Sequence, residues 1–279
     1  MLRIVLTILQ VLLLSLMLSW LSVHAQALPN AELLHTDTQN RLPQASVETI
    51  LAGTEQVPVT STSASLPLTR GVAIIISDHL DGVFGDDGIS VIAQSLNEWG
   101  WHTVILPAPV PNLSSEEIAD AEAMNALSAQ VTFTSEARTR YGLSLSQRMQ
   151  GVAELVQTVP GYRLVIARGI AAAGLISLYQ QGALAEPDSL VITGPFWPNQ
   201  SFNQQLPVEL AQTPFPVLDI TSEWDNRWSL QTIDARRKAA VTELKLHYRQ
   251  RDIVGTVYTE QQYLALAKQI YGWITYLGW

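Results

Sequence analysis

Cysteine is absent from the chain. That excludes disulfides, thiol nucleophiles, thiolate metal sites and lipid attachment through sulfur. Charge is also scarce: 15% of residues are charged against 47% hydrophobic, which excludes a disordered, solvating polymer. Positive charge is scarcer still. Sixteen Lys and Arg face 25 Asp and Glu, a net charge of −9, so there is no electrostatic footprint for nucleic acid. Histidine occurs only five times in 279 residues, and the positions of those five bear on any acid–base chemistry. The length is ample for one large core.

What is present begins with an address. Residues 1–27, MLRIVLTILQVLLLSLMLSWLSVHAQA, have a basic start at Arg3, an apolar run from Ile4 to Leu21 and a small-residue ending. Val23-His24-Ala25 suits a signal-peptidase cut, giving a signal peptide at residues 1–25 and an exported, periplasmic protein. The alternative is an uncleaved membrane anchor, since the run approaches the length of a span. Residues 26–46 read as an irregular polar leader, and 47–279 as one domain.

The domain opens with two short strands, Val47 to Leu51 and Gln56 to Thr60, around the turn Ala52-Gly53-Thr54-Glu55. After a Ser/Thr/Pro linker, the continuous apolar run Gly71 to Ile76 predicts a strand buried on both faces. Ile89, Ile92, Leu96 and Trp99 predict a helix ended by Gly100. His102 to Leu106 is the next strand. A long excursion, 108–142, predicts a lid-like insertion, with Ser114 and Glu117 as the capping box of a short acidic helix. Leu145 to Val156 predicts a helix, followed by strands at Arg163 to Ala167, Ser189 to Thr193 and Val217 to Thr221. Leu230 to Leu244 predicts a helix with Arg236, Arg237 and Lys238 solvated. A last strand falls within Lys245 to Val254, and Tyr263 to Leu277 stripes a C-terminal helix. Strand and helix alternate throughout, which predicts an α/β fold with a mostly parallel, doubly wound sheet.

Ligands of such sheets bind at the carboxyl ends of the strands, so the strand-to-helix turns carry the functional reading. Ala167-Arg168-Gly169-Ile170-Ala171 has the outer small residues of a nucleophile elbow, with Gly169 where the nucleophile would stand. The same turn also suits any tight βα connection. Asp225, in Ser222-Glu223-Trp224-Asp225-Asn226, stands where a triad acid would follow its strand. Gly255 to Glu260, where the histidine would fall, has none. His35 lies in the leader, His102 begins a strand and His247 precedes one, leaving His79 near the site. Asp219 lies mid-strand and requires a partner or a less buried face. Arg168 could attract an anion beside a helix N-terminus. Phe196, Trp197, Trp224 and Trp228 follow strand ends and either line a cleft or cover the sheet as core. Asp78, Asp81, Asp86 and Asp87 do not match the spacing of a calcium loop, and no metal or cofactor is expected.

The runs RGVAIIIS, LNEWGWHTVILPAP, PVLDITSEWDNR, YRQRDIVG and IYGWITYLGW together resemble the bacterial exported proteins grouped as domain of unknown function 3530, which are α/β-hydrolase-like. The resemblance covers about Val47 to Trp279 and implies an α/β-hydrolase fold and export. The wider hydrolase superfamily implies a nucleophile at Gly169, an acid at Asp225 and a histidine after the last strand. Of these the sequence holds the acid. The expectation is a non-catalytic protein that binds a small molecule or envelope component through Arg168, Gly169, Trp197, Trp224 and Asp225. The alternative is a divergent esterase with a non-standard site, using His79 in another role.

Overall fold

The computed structural model describes residues 45–77, 87–111, 114–115, 131–254 and 260–279. Residues 1–44, which hold the expected signal peptide and most of the expected leader, and His79 and residues 255–259 lie outside the described residues.

Eight strands form one sheet. Four come from the first half of the domain: β1 (Ser46–Ala52), β2 (Glu55–Thr62), β3 (Gly71–Ser77) and β4 (Trp101–Pro107). A separate two-strand pair, β5 (Ser114–Ser115) and β6 (Val131–Thr132), lies in the insertion. The main sheet is completed by β7 (Tyr162–Arg168), β8 (Ser189–Thr193), β9 (Val217–Ser222) and β10 (Tyr248–Ile253). Their spatial order is β1-β2-β4-β3-β7-β8-β9-β10. β2 is antiparallel to both its neighbours and every other pairing is parallel. The β1–β2 hairpin turns at Gly53, whose φ of +63° suits the first central position of a tight hairpin turn.

Alternation along the strands divides the core in two. Val72, Ile74 and Ile76 pack on one face of the sheet with Val104, Leu106 and Val165. Ala73 and Ile75 pack on the other with Ile105, Leu164 and Ile166. The second face is covered by α1 (Asp87–Glu98) and α7 (Glu260–Tyr276), which contribute Ile92, Leu96, Ile270 and Trp273. The first face is covered by α2 (Ser135–Leu155), α3 (Gly169–Gln180) and α4 (Gln200–Ala211). Two shorter helices, α5 (Arg227–Leu230) and α6 (Ile233–Thr242), link β9 to β10, and α6 packs on α4. This is the α/β-hydrolase-like, doubly wound sheet with an N-terminal hairpin that the sequence predicts. Among the described residues, no helix is long and apolar enough to cross a membrane.

Several local expectations are corrected. α2 starts at Ser135, well before Leu145, with Thr134 accepting from the Ala137 N–H as its N-cap. Phe133, Ala137 and Tyr141 are therefore core rather than insertion. Ser114 pairs with Thr132 across β5 and β6, while Glu117 and the short acidic helix expected after it lie outside the described residues. The Leu230 to Leu244 helix is two helices broken at Gln231 and Thr232. Arg236 is fully buried, not solvated, because it is the partner that Asp219 requires.

Candidate functional site

The site is built from the turns that follow β7, β8 and β9. β7 and α3 meet at a sharp bend. Arg168 is extended, at φ −126° and ψ 154°, and Gly169 turns to φ +58°. A left-handed value is strained for any residue with a Cβ and free for glycine. Ala167 and Ala171, both buried, let the strand and helix close on each other. α3 is buried along nearly its whole length, so the bend is held rigidly. The sharp strand-to-helix bend between small residues that the sequence predicts is present, and its apex carries no side chain.

β8 is followed by Gly194, also left-handed at φ +51°, and the chain returns so that the Phe196 N–H donates to Gly169 O at 3.4 Å. Asp225 arrives from the turn after β9. The Asp225 N–H donates to Ser222 O at 3.2 Å, and the Trp224 N–H donates to Ser222 Oγ at 3.2 Å. The Asp225 carboxylate lies directly on Gly194, where a Cβ would stand 2.7 Å from Oδ2. Glycine at 194 thus makes room for the acid. The carboxylate Oδ2 is buried and accepts no hydrogen bond among the described residues. Burial pushes the Asp225 carboxyl above the usual carboxylate range. The charges of Arg168 and Arg236 pull it partly back, and Asp219 pushes it up further.

Beneath this acid lies a second, fully satisfied one. Asp219 accepts from Arg236 Nε at 2.8 Å and Nη2 at 3.2 Å, from Tyr248 Oη at 2.7 Å and from Gln250 Nε2 at 3.1 Å. Arg236 also donates to Thr232 Oγ1. Both members of the ion pair are inaccessible to solvent. Burial and the Asp219 carboxylate push the Tyr248 hydroxyl far up, so it stays a donor. The network joins β9, α6 and β10 and fixes the platform from which Asp225 projects. Gly194, Arg236 and Tyr248 were not marked by the sequence reading. A carboxylate inside VLDIT was its one signal.

The aromatic residues separate. Trp224 is exposed, and Phe196 and Trp228 are half-buried near the rim. Trp197 is not on the rim: it is 1% exposed, stacks on Phe133 at 5.3 Å and meets Tyr141 edge-on. The reason is local. Asn203 Oδ1 accepts from the Trp197 N–H and Asn199 caps α4, which draws Trp197 under the helical layer. Arg168 stands at the mouth of the elbow, where its charge acts on Asp225. His102 and His247 stand at the amino ends of β4 and β10, the opposite pole from Gly169. His102 Nε2 lies 3.1 Å from Ser61 Oγ, and burial lowers its pKa. Neither can serve the elbow. Among the described residues, no group of three or more His, Cys, Asp or Glu could hold a metal ion.

The family model described as "Protein of unknown function (DUF3530)" matches residues 9–276. The chain belongs to the DUF3530 family. No curated protein matches it. Solved structures share its fold at low identity. The esterase domain of a Rhodothermus marinus protein is 8% identical, with a TM-score of 0.57, covering 82% of this chain and 97% of its own. Dienelactone hydrolase from Anabaena variabilis is 14% identical, with a TM-score of 0.56, covering 84% and 97%. XC6422 from Xanthomonas campestris, an α/β serine hydrolase without a lid, is 14% identical, with a TM-score of 0.54, covering 84% and 95%. These likenesses establish an α/β-hydrolase fold for this DUF3530 member.

Proposed function

We propose that this DUF3530 protein is an exported, non-catalytic α/β-hydrolase homologue that binds a small molecule or envelope component at the carboxyl rim of its sheet. One observation carries the reading: the elbow is built, with Gly169 at φ +58°, and its apex has no nucleophile. A serine-type mechanism also needs a base in reach of that apex. The sequence of the loop after β10 contains no histidine. The acid is in position, and its buried Oδ2 has no donor among the described residues. A buried acceptor without a partner is costly. A ligand that brings an N–H or O–H to Asp225 relieves that cost, so amines and sugar hydroxyls are the favoured chemistry. Trp224, exposed beside it, supplies an apolar face.

The raised pKa gives a stability signature with a definite sign. A carboxyl whose folded pKa lies above its unfolded value binds more protons in the folded state. Stability therefore falls as pH rises from the usual carboxylate range through the raised folded value. Asp225→Asn removes that loss. Its melting temperature at pH 7 is expected to exceed that of the wild type, with the gain shrinking at pH values below the usual carboxylate range. The binding test is a thermal-shift screen at pH 7 with peptidoglycan fragments and phosphatidylethanolamine. A stabilising compound that loses its effect in both Asp225→Asn and Trp224→Ala supports rim binding. Stabilisation that survives both substitutions contradicts it, and turnover of simple esters by the wild type favours the divergent-esterase alternative.

A further inference from the structure

A cavity lies away from the rim. It has a volume of about 420 Å³ and sits between the sheet and the first helical layer, towards the amino ends of the strands. Ile74 of β3 and Val165 of β7 form its floor; Met149 of α2, Val156 just after α2 and Tyr179 of α3 form its walls. All five are core residues exposed by less than a tenth. The cavity reaches the sheet because the side chains over it are small. Ala153 on α2, and Ala183 and Ala185 in the turn after α3, stand exposed at the opening. Its polar lining is the hydroxyl-bearing Tyr179 in the wall, and Gln150, Arg163 and Glu186 at the mouth. There the Arg163 guanidinium is fastened by Val159 O at 2.6 Å and Val156 O at 3.3 Å.

We propose that this cavity is a binding site for a single alkyl chain, with the chain's polar end held at the mouth by Gln150 and Arg163. The volume falls within the range of about 300–1,000 Å³ typical of ligand sites. The chemistry of the lining selects the occupant. An ordered water needs two to four polar partners, and the floor and walls are almost wholly hydrocarbon. Water that enters is poorly held, so an apolar group that displaces it gains affinity. A polar or charged ligand would lose its hydration there without compensation. An amphiphile with a hydrocarbon tail and a polar head matches both the apolar floor and the polar mouth. Free fatty acids and the acyl chains of membrane lipids share this chemistry.

The test uses the purified full chain with two soluble probes, cis-parinaric acid and dodecanoate, and separately with phosphatidylcholine–phosphatidylglycerol vesicles. Saturable parinarate fluorescence, displaced by dodecanoate, is expected. Ala153→Trp and Ala185→Trp each place a large ring over the opening and are expected to weaken binding at least tenfold, with melting temperatures near that of the wild type. Methyl NMR locates the ligand independently of any substitution. The chain has four methionines, Met1, Met17, Met124 and Met149. Dodecanoate is expected to shift the Met149 signal. A shift with dodecanoate alone assigns a free fatty acid, and a shift with vesicles as well assigns a membrane lipid. Absence of saturable binding, binding that both tryptophan variants retain, or an unmoved Met149 signal overturns the proposal.

Discussion

Replacing Arg236 with alanine is expected to cost about 3–5 kcal/mol of folding stability, the amount lost when one partner of a buried ion pair is removed. Arg236 and Asp219 are both fully buried, and the carboxylate would be left with hydrogen bonds from Tyr248 and Gln250 alone. Chemical denaturation reads the loss as a lower midpoint. Arg236→Met with Asp219→Leu removes both charges and is expected to recover most of it, because the cost lies in the orphaned charge rather than in the missing attraction. The substitution should also reach the rim. Arg236 is one of two cations that stabilise the ionised Asp225. Without that charge the Asp225 carboxyl rises further, which is measurable by NMR titration in the Arg236→Gln variant.

A second large effect is expected at the amino ends of β3 and β7. Gly161 has φ +97°, and a Cβ there would stand 2.2 Å from the Arg70 carbonyl oxygen. Its neighbour across the strands is equally tight: a Cβ on Gly71 would meet the Tyr162 carbonyl oxygen at 2.1 Å. These obstacles are backbone, which cannot rotate away. Gly161→Ala therefore combines left-handed strain with a backbone clash and is expected to cost about 3 kcal/mol. Gly182→Ala is the informative comparison. It has a similar φ of +67° with nothing within 4 Å, so it should lose the smaller, conformational part alone. Equal losses at the two positions would show that β3 and β7 do not approach as closely as described. The point matters for function because β7 carries the elbow and β3 leads into the segment containing His79.

The fold was legible because its central strands are continuous apolar runs. GVAIII and SLVIT need both faces covered, and that alone demands a parallel sheet between helical layers. The elbow was legible because close packing of strand and helix requires Ala167 and Ala171 to be small. What failed were features decided by distant residues. Arg236 stands in Arg236-Arg237-Lys238, a run that reads as solvated; Asp219, seventeen positions earlier, pulls one of the three inside. The first half of α2 was hidden because polar residues such as Arg138 and Arg140 interrupt its stripe, while Tyr141 is buried against α3. Trp197 follows a strand like a rim residue and is drawn inward by contacts with α4. Gly194 carried no visible role, because its need arises from the carboxylate of Asp225 thirty-one residues later.

The proposal that this hydrolase scaffold presents a strand-to-helix bend without acyl chemistry is tested most directly by fluorophosphonate labelling of the purified protein, read by intact mass, since the reagent reports any serine activated by its surroundings. An unchanged mass after prolonged exposure is expected. A stoichiometric adduct mapped to a single serine would contradict it.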